Sequence, residues 1–278
     1  MKNVLIPTDF SENSWRAICY GMSFLKDKEC KFYLLHVLAH HQYIHGDNMY
    51  NSALAVKSIA TNEHIQMMEA LITRIKNQFL NSKHTIETVF ETTFFVDGIR
   101  KQIEEHEVDL IIMGTKGATG LKELTVGSNT GDVITKVKCP VLVVPEDANY
   151  STIKEIVFPT DYNIYYKSRI IDTITEVVNS YRATLHVLHV AKKEKELTEL
   201  QLKNKDYLDD SLEDIKHSFH FLSHENIEQA VQSFVENREI DLITMVAKNL
   251  NFFQRILFRP LVEKITYHTK IPFLILHE

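Results

Sequence analysis

Eight glycines occur in the 278 residues, and five of them, Gly114, Gly117, Gly120, Gly127 and Gly131, fall in one short stretch with none beyond it. Glycine admits positive φ and lets backbone approach a ligand closely. The cluster opens where the apolar run Leu110–Met113 ends and closes on Gly127-Ser128-Asn129-Thr130, where a helix to about Val137 is expected to begin. A helix start presents unpaired main-chain N–H groups, and the hydroxyls of Ser128 and Thr130 lie beside them, so the chemistry on offer is anion binding. Lys116 and Lys122 sit in the same loop and either reach a phosphate or remain solvated. A tight surface turn would also use glycine, but loop position and helix start together favour a phosphate cradle. The spacing is neither Gly-x4-Gly-Lys-Ser/Thr nor Gly-x-Gly-x2-Gly, the two common nucleotide fingerprints.

The elements that must hold this loop alternate between strand and helix. Val4–Pro7 reads as a short apolar strand, followed by a helix capped by Asp9 or Ser11 and running to about Leu25. Phe32–Val37 reads as a buried strand, Val56–Leu80 carries helical periodicity, and Thr85–Phe90 alternates as a strand. Asp97–Glu105 is a short helix, Leu110–Met113 a further strand, and Val141–Val144 a last strand after Pro140. Such alternation argues for a parallel sheet covered by helices. In a doubly wound sheet the ligand lies beyond the carboxyl ends of the strands, where strand order reverses. If the strands ending at Asp9 and Gly114 are neighbours there, the carboxylate suits ribose hydroxyls and the Val37 backbone suits an adenine edge.

The pattern is repeated. Ile6-Pro7-Thr8-Asp9 recurs as Phe158-Pro159-Thr160-Asp161, and Leu35-His36-Val37 recurs as Leu188-His189-Val190. Asp109–Met113 recurs as Asp241–Met245 and Lys138–Leu142 as Lys270–Leu274, at one shared offset. The second copy is shorter opposite the polar stretch around His40–Asn62, which reads as a long loop running into a helix. Its strands are expected near Ile156–Phe158, Thr184–Val190, Ser218–Leu222, Leu242–Met245 and Phe273–Leu276, after a short polar linker at Glu146–Thr152. The gapless offset sets Val246, Asn249, Arg259 and Pro260 opposite Gly114, Gly117, Gly127 and Ser128. β-Branched Val246 resists positive φ, and Pro260 removes an N–H and the hydroxyl. Leu250–Phe258 is apolar and aromatic instead, which suits packing, so the second copy reads as degenerate.

The Gly114-x2-Gly117-x9-Gly127-Ser128 spacing, the Pro-x-Asp opening, the His-Val after strand two and the closing Cys-Pro-Val-Leu-Val-Val strand resemble the universal stress protein family over nearly the whole chain. The resemblance implies two tandem α/β doubly wound domains, residues 1–147 and 153–278. Each would be a five-stranded, mostly parallel sheet of order 3-2-1-4-5 with helices on both faces. It further implies ATP, with or without Mg²⁺, held by Pro7, Thr8, Asp9, Val37, Met113, Gly114, Lys116, Gly117, Gly127, Ser128, Asn129 and Thr130. In the family, last strands join two domains into a dimer. Here the two copies are expected to pair within one chain as a pseudo-dimer, with a homodimer left open. The implied role is a nucleotide-dependent stress or signalling module with one competent site. A slow ATPase and a nucleotide-free scaffold using Phe252, Phe253 and Phe258 are the alternatives. Nothing in the loop stands out as a general base, and for Asp9 ribose contact is the simpler role.

Composition narrows the classes. The net charge of −6 without a dense Lys/Arg run gives nucleic acid little electrostatic purchase, and no apolar stretch approaches bilayer length. Three scattered cysteines and a strand-like N-terminus without a secretory pattern point to the cytoplasm. His40, His41 and His45, and likewise His217, His220 and His224, lack the flanking Cys or carboxylate pattern of a zinc site, so no metal is expected. Trp15 reads as a packing residue.

Overall fold

The computed structural model describes residues 1–38, 49–115, 128–191, 196–247 and 270–277, with backbone alone for 49–61, 128 and 228. The first half contains β1 (Lys2–Pro7), α1 (Glu12–Phe24), β2 (Cys30–Val37), α2 (Met49–Gln78), β3 (His84–Glu91), α3 (Phe95–His106), β4 (Leu110–Gly114), α4 (Ser128–Lys136) and β5 (Val141–Val144). The second half contains β6 (Glu155–Pro159), α5 (Ser168–Tyr181), β7 (Thr184–Ala191), α6 (Glu199–Ser211), β8 (His217–Ser223), α7 (Ile227–Asn237), β9 (Leu242–Val246) and β10 (Phe273–Leu276). Every strand expected from the sequence is present. The helix read as starting near Val56 is already formed at Met49. Its turns ahead of Val56 include Ala53, Leu54 and Ala55, good helix formers within a stretch whose polarity had read as loop.

The strands form one ten-stranded sheet of order β3-β2-β1-β4-β5-β10-β9-β6-β7-β8. Each half follows the doubly wound order 3-2-1-4-5. All pairings are parallel except β5 with β10, which is antiparallel with Leu142 opposite Leu274. The last strands, which would otherwise be unprotected apolar edges, thus cover one another.

Strand residues alternate between two buried faces, as expected of a parallel sheet clad in helices. Val4 and Ile6 of β1, Leu142 of β5 and Leu274 of β10 join one core with Trp15 and Ile18 of α1, Leu71 of α2, Ile174 of α5 and Leu208 of α6. Leu5, Val143 and Ile275 join the other, with Ile99 of α3, Val133 of α4 and Val231 of α7. Both cores run through the β5–β10 join. Above it the Phe24 and Tyr181 rings meet at 5.1 Å, and the Tyr181 hydroxyl donates to the Phe24 carbonyl. The Lys2–Glu176 ion pair nearby, 2.7 Å, has side chains 32% and 41% exposed. Such a pair contributes at most about 1 kcal/mol. Burial of a Phe ring contributes about 1.5–3 kcal/mol, so apolar packing is the stronger hold between the halves.

Candidate functional site

β1 lies between β2 and β4, with Val4 opposite Leu110 and Leu5 opposite Ile111. The chain leaves β1 at Pro7 and turns immediately. Thr8 N–H donates to the Leu35 carbonyl at 2.8 Å, the Phe10 amide donates to Thr8 Oγ1 at 3.1 Å, and Phe10 takes φ 61°. Of the two cap candidates, Ser11 holds the cap, accepting from the Ser14 amide at 3.3 Å. Asp9 is exposed, and its Oδ1 accepts from the Ser11 amide at 3.1 Å and the Ser11 hydroxyl at 2.5 Å. The turn therefore presents the Asp9 carboxylate outward at the carboxyl end of β1.

β4 ends beside it. A Cβ on Gly114 would stand 3.2 Å from the Asn13 carbonyl oxygen, in the first turn of α1. Only a residue without a side chain fits there comfortably, so the end of β4 lies directly against the segment that leaves β1, as the strand-order argument required. Met113 is buried, and the half-buried Gly114 accepts a 2.8 Å hydrogen bond from Thr130 Oγ1, itself 3% exposed. This bond fixes the start of α4 over the end of β4, with Asn129 exposed beside it. Thr130 is thus a structural tie, a role its position in the sequence did not reveal. Lys116, Gly117 and Gly127, with the side chain of Ser128, lie outside the described residues.

Val37 closes β2 on the other side, half-buried, with its Cγ2 at 3.4 Å from where a Cβ on Gly98 would sit. Its neighbour His36 belongs to the repeated Leu-His-Val, but the sequence assigns it no role. His36 Nδ1 donates to the Thr8 carbonyl at 2.8 Å, and its ring stands 4.5 Å from Phe10 and 4.7 Å from His64 of α2. Burial holds His36 below the usual histidine value, against the opposing pull of the Thr8 hydrogen bond. A neutral ring at neutral pH keeps the β1 turn pinned to β2.

The second half repeats this tie. His189 Nδ1 donates to the Thr160 carbonyl at 3.0 Å, and Tyr162, at φ 56°, stacks on His189 at 5.1 Å and 17°. The recurrence of Pro-Thr-Asp and Leu-His-Val thus has a structural cause in both halves, and its survival after Val190 needs no ligand. Over this second turn α6 closes down: Asn204 Nδ2 donates to the Tyr162 carbonyl and Gln201 Nε2 to the Asp161 carbonyl, each at 2.8 Å. Val246 is 2% exposed where Gly114 stands in the first half. Asn249, Phe252, Phe253, Phe258, Arg259 and Pro260 lie outside the described residues.

Other sequence candidates resolve into packing. Trp15 is buried under the Arg74 guanidinium, 3.8 Å from its ring centre. Cys19, Cys30 and Cys139 are free thiols. Among the described residues no helix is long and apolar enough to cross a membrane.

The fold and site define a repeated doubly wound α/β chain in which β1 and β4 of the first half end side by side where the strand order reverses. The chain belongs to the universal stress protein family, whose model matches residues 1–145. It is 35% identical over 154 residues to universal stress protein MJ0577 of Methanocaldococcus jannaschii, covering 51% of this chain and 94% of that one. With universal stress protein MJ0531 of the same organism it shares 27% over 143 residues, 51% of this chain and 81% of that one. A universal stress protein structure from Archaeoglobus fulgidus DSM 4304 aligns over 99% of this chain and 98% of its own, at TM-score 0.64 and 19% identity. That likeness extends the shared fold across both halves.

Proposed function

We propose that the first half binds an adenine nucleotide, ATP with or without Mg²⁺, and that the chain acts as a nucleotide-dependent stress-response or signalling module with one competent site. The observation carrying this reading is the meeting of Gly114 with the first turn of α1 beside the exposed Asp9 carboxylate. Asp9 takes the ribose hydroxyls and Val37 the adenine edge. Met113, Gly114, Lys116, Gly117, Gly127, Ser128, Asn129 and Thr130 surround the phosphates, with Pro7 and Thr8 shaping the floor. Residues 1–147 and 153–278 act as two domains paired as an intramolecular pseudo-dimer in the cytoplasm. The filled turn under α6 and the buried Val246 support a second domain that serves its partner rather than a second nucleotide.

The test is the nucleotide content of the purified protein. Heat denaturation followed by anion exchange of the supernatant should release adenine nucleotide at about one equivalent per chain. Two equivalents contradict the single site. No nucleotide, together with no change in melting temperature on adding ATP, leaves the scaffold reading in its place. Phosphate release by the wild type and by Asp9→Ala separates a binder from a slow ATPase.

A further inference from the structure

The opposite end of the second half carries a polar cluster that the nucleotide reading does not use. A cleft of about 650 Å³ opens there, lined by Glu155 at the start of β6, His186 of β7, Lys216 before β8 and Arg238 after α7. His186, which lines it, meets two further polar side chains, Ser218 and His220. His186 Nδ1 lies 3.0 Å from His220 Nε2 and 3.0 Å from Ser218 Oγ, and Ser218 Oγ lies 2.9 Å from His220 Nε2. His186 and His220 come from paired strands, since Leu188 is opposite His220 and His186 opposite Ser218. Phe234 of α7 packs against both imidazoles, with centroids at 5.9 and 4.9 Å, and holds their planes.

The protons on this triangle can be counted. His186 Nε2 is 2.6 Å from Glu155 Oε2, and a carboxylate only accepts, so Nε2 carries the hydrogen and a neutral His186 has a lone pair at Nδ1. The Ser218 hydroxyl brings one hydrogen and His220 Nε2 at most one more. Three contacts therefore share at most two hydrogens, so at least one contact brings two lone pairs together without a hydrogen between them. A carboxylate behind the far nitrogen of an imidazole is also the arrangement that orients metal-bound histidines. Glu155, Glu236 and Glu239 outnumber Lys216 and Arg238 around the cleft, so its charge does not oppose a cation.

We propose that His186 Nδ1, His220 Nε2 and Ser218 Oγ form a binding site for a borderline divalent transition cation of the zinc type, with Glu155 setting the His186 tautomer. Nitrogen and oxygen ligands about 2.0–2.1 Å from a tetrahedral ion stand roughly 3.3–3.4 Å apart, so the triangle opens by only about 0.4 Å to admit one. No three His, Cys, Asp or Glu side chains among the described residues are grouped to hold a metal. With a hydroxyl as third ligand and water from the cleft completing the shell, this site is weaker than a closed structural centre. It clamps the outermost strand, β8, onto β7. The inference is independent of nucleotide binding in the first half.

The experiment uses the full chain, stripped with chelator, titrated with Zn²⁺ by calorimetry and with Co²⁺ by visible absorption. The wild type should take up one saturable equivalent with a rise in melting temperature. His220→Gln, at a half-exposed position that tolerates a polar side chain, should weaken binding at least about tenfold, and Glu155→Gln about 10–100-fold. His217→Gln should bind as the wild type does, because His217 Nε2 is engaged with Asp209 at 2.9 Å, away from the triangle. Absence of saturable binding to the wild type, wild-type affinity in a folded His220→Gln, or an equal loss in His217→Gln overturns the assignment.

Discussion

Thr130 Oγ1 donates to the Gly114 carbonyl across 2.8 Å, tying the first turn of α4 to the last residue of β4. The bond spans the two ends of the glycine-rich loop, so the loop's anchor points are set by one hydroxyl. Removing the donor takes one partner from a half-buried carbonyl.

Thr130→Val keeps the shape and removes that donor. A loss of about 0.5–1.5 kcal/mol in stability is expected from urea unfolding, the net contribution of one hydrogen bond. If the proposed nucleotide site is right, ATP affinity should fall as well, since the start of α4 loses its tether.

Gly114→Val tests the proposed site where β4 meets the first turn of α1. The new Cβ meets the Asn13 carbonyl at 3.2 Å, and a main-chain oxygen in a helix cannot swing aside as a side chain would. Overpacking of this kind costs about 1–3 kcal/mol. The rise in melting temperature on adding ATP should vanish in a variant that circular dichroism still shows to be folded. A full ATP response in that variant would rule out this site.

Asp9→Ala separates binding from folding. Asp9 is exposed and hydrogen-bonds the nearby Ser11, so stability should change by less than about 1 kcal/mol, as for exposed positions generally. Nucleotide affinity, measured by calorimetry, should fall at least about tenfold, the equivalent of one charged hydrogen bond lost.

Acid should weaken the fold through buried histidines. Burial lowers both His36 and His277 from the ordinary 6.5, so below that pH the unfolded chain binds more protons than the folded one. Their contribution is complete above pH 6.5 and is lost as pH falls through the lower folded values. Around His36, His64 also disfavours the charged ring while Asp9 favours it. Urea midpoints at pH 8 and pH 5.5 should differ, and His36→Gln should shrink the difference.

The β5–β10 join should make the halves unfold together. Leu274, 2% exposed and opposite Leu142, belongs to the last strand, yet Trp15, the single tryptophan, lies in α1. Leu274→Ala should cost about 2–5 kcal/mol. Trp15 fluorescence should report the lowered midpoint in step with circular dichroism. An unchanged Trp15 transition would show that the halves melt separately.

The strands, their alternation with helices, the repeat and the loss of glycine from its second copy were all legible in the sequence. Each is written in neighbouring residues: apolar periodicity declares the element, and glycine or its absence declares what the backbone can do. The helical turns from Met49 were obscured because polar helix formers and polar loops look alike over a few residues. Tertiary structure alone decided the rest. It set β5 antiparallel to β10, turned the repeated Thr-Asp and His-Val motifs into a carbonyl-to-imidazole tie, and assigned Thr130 to the Gly114 carbonyl. It also set His220 against His186 rather than against His217 or His224, its neighbours along the chain. These partners are far apart in sequence, and a side chain's hydrogen-bond partner depends on which strands pair and in which register, which no local pattern records.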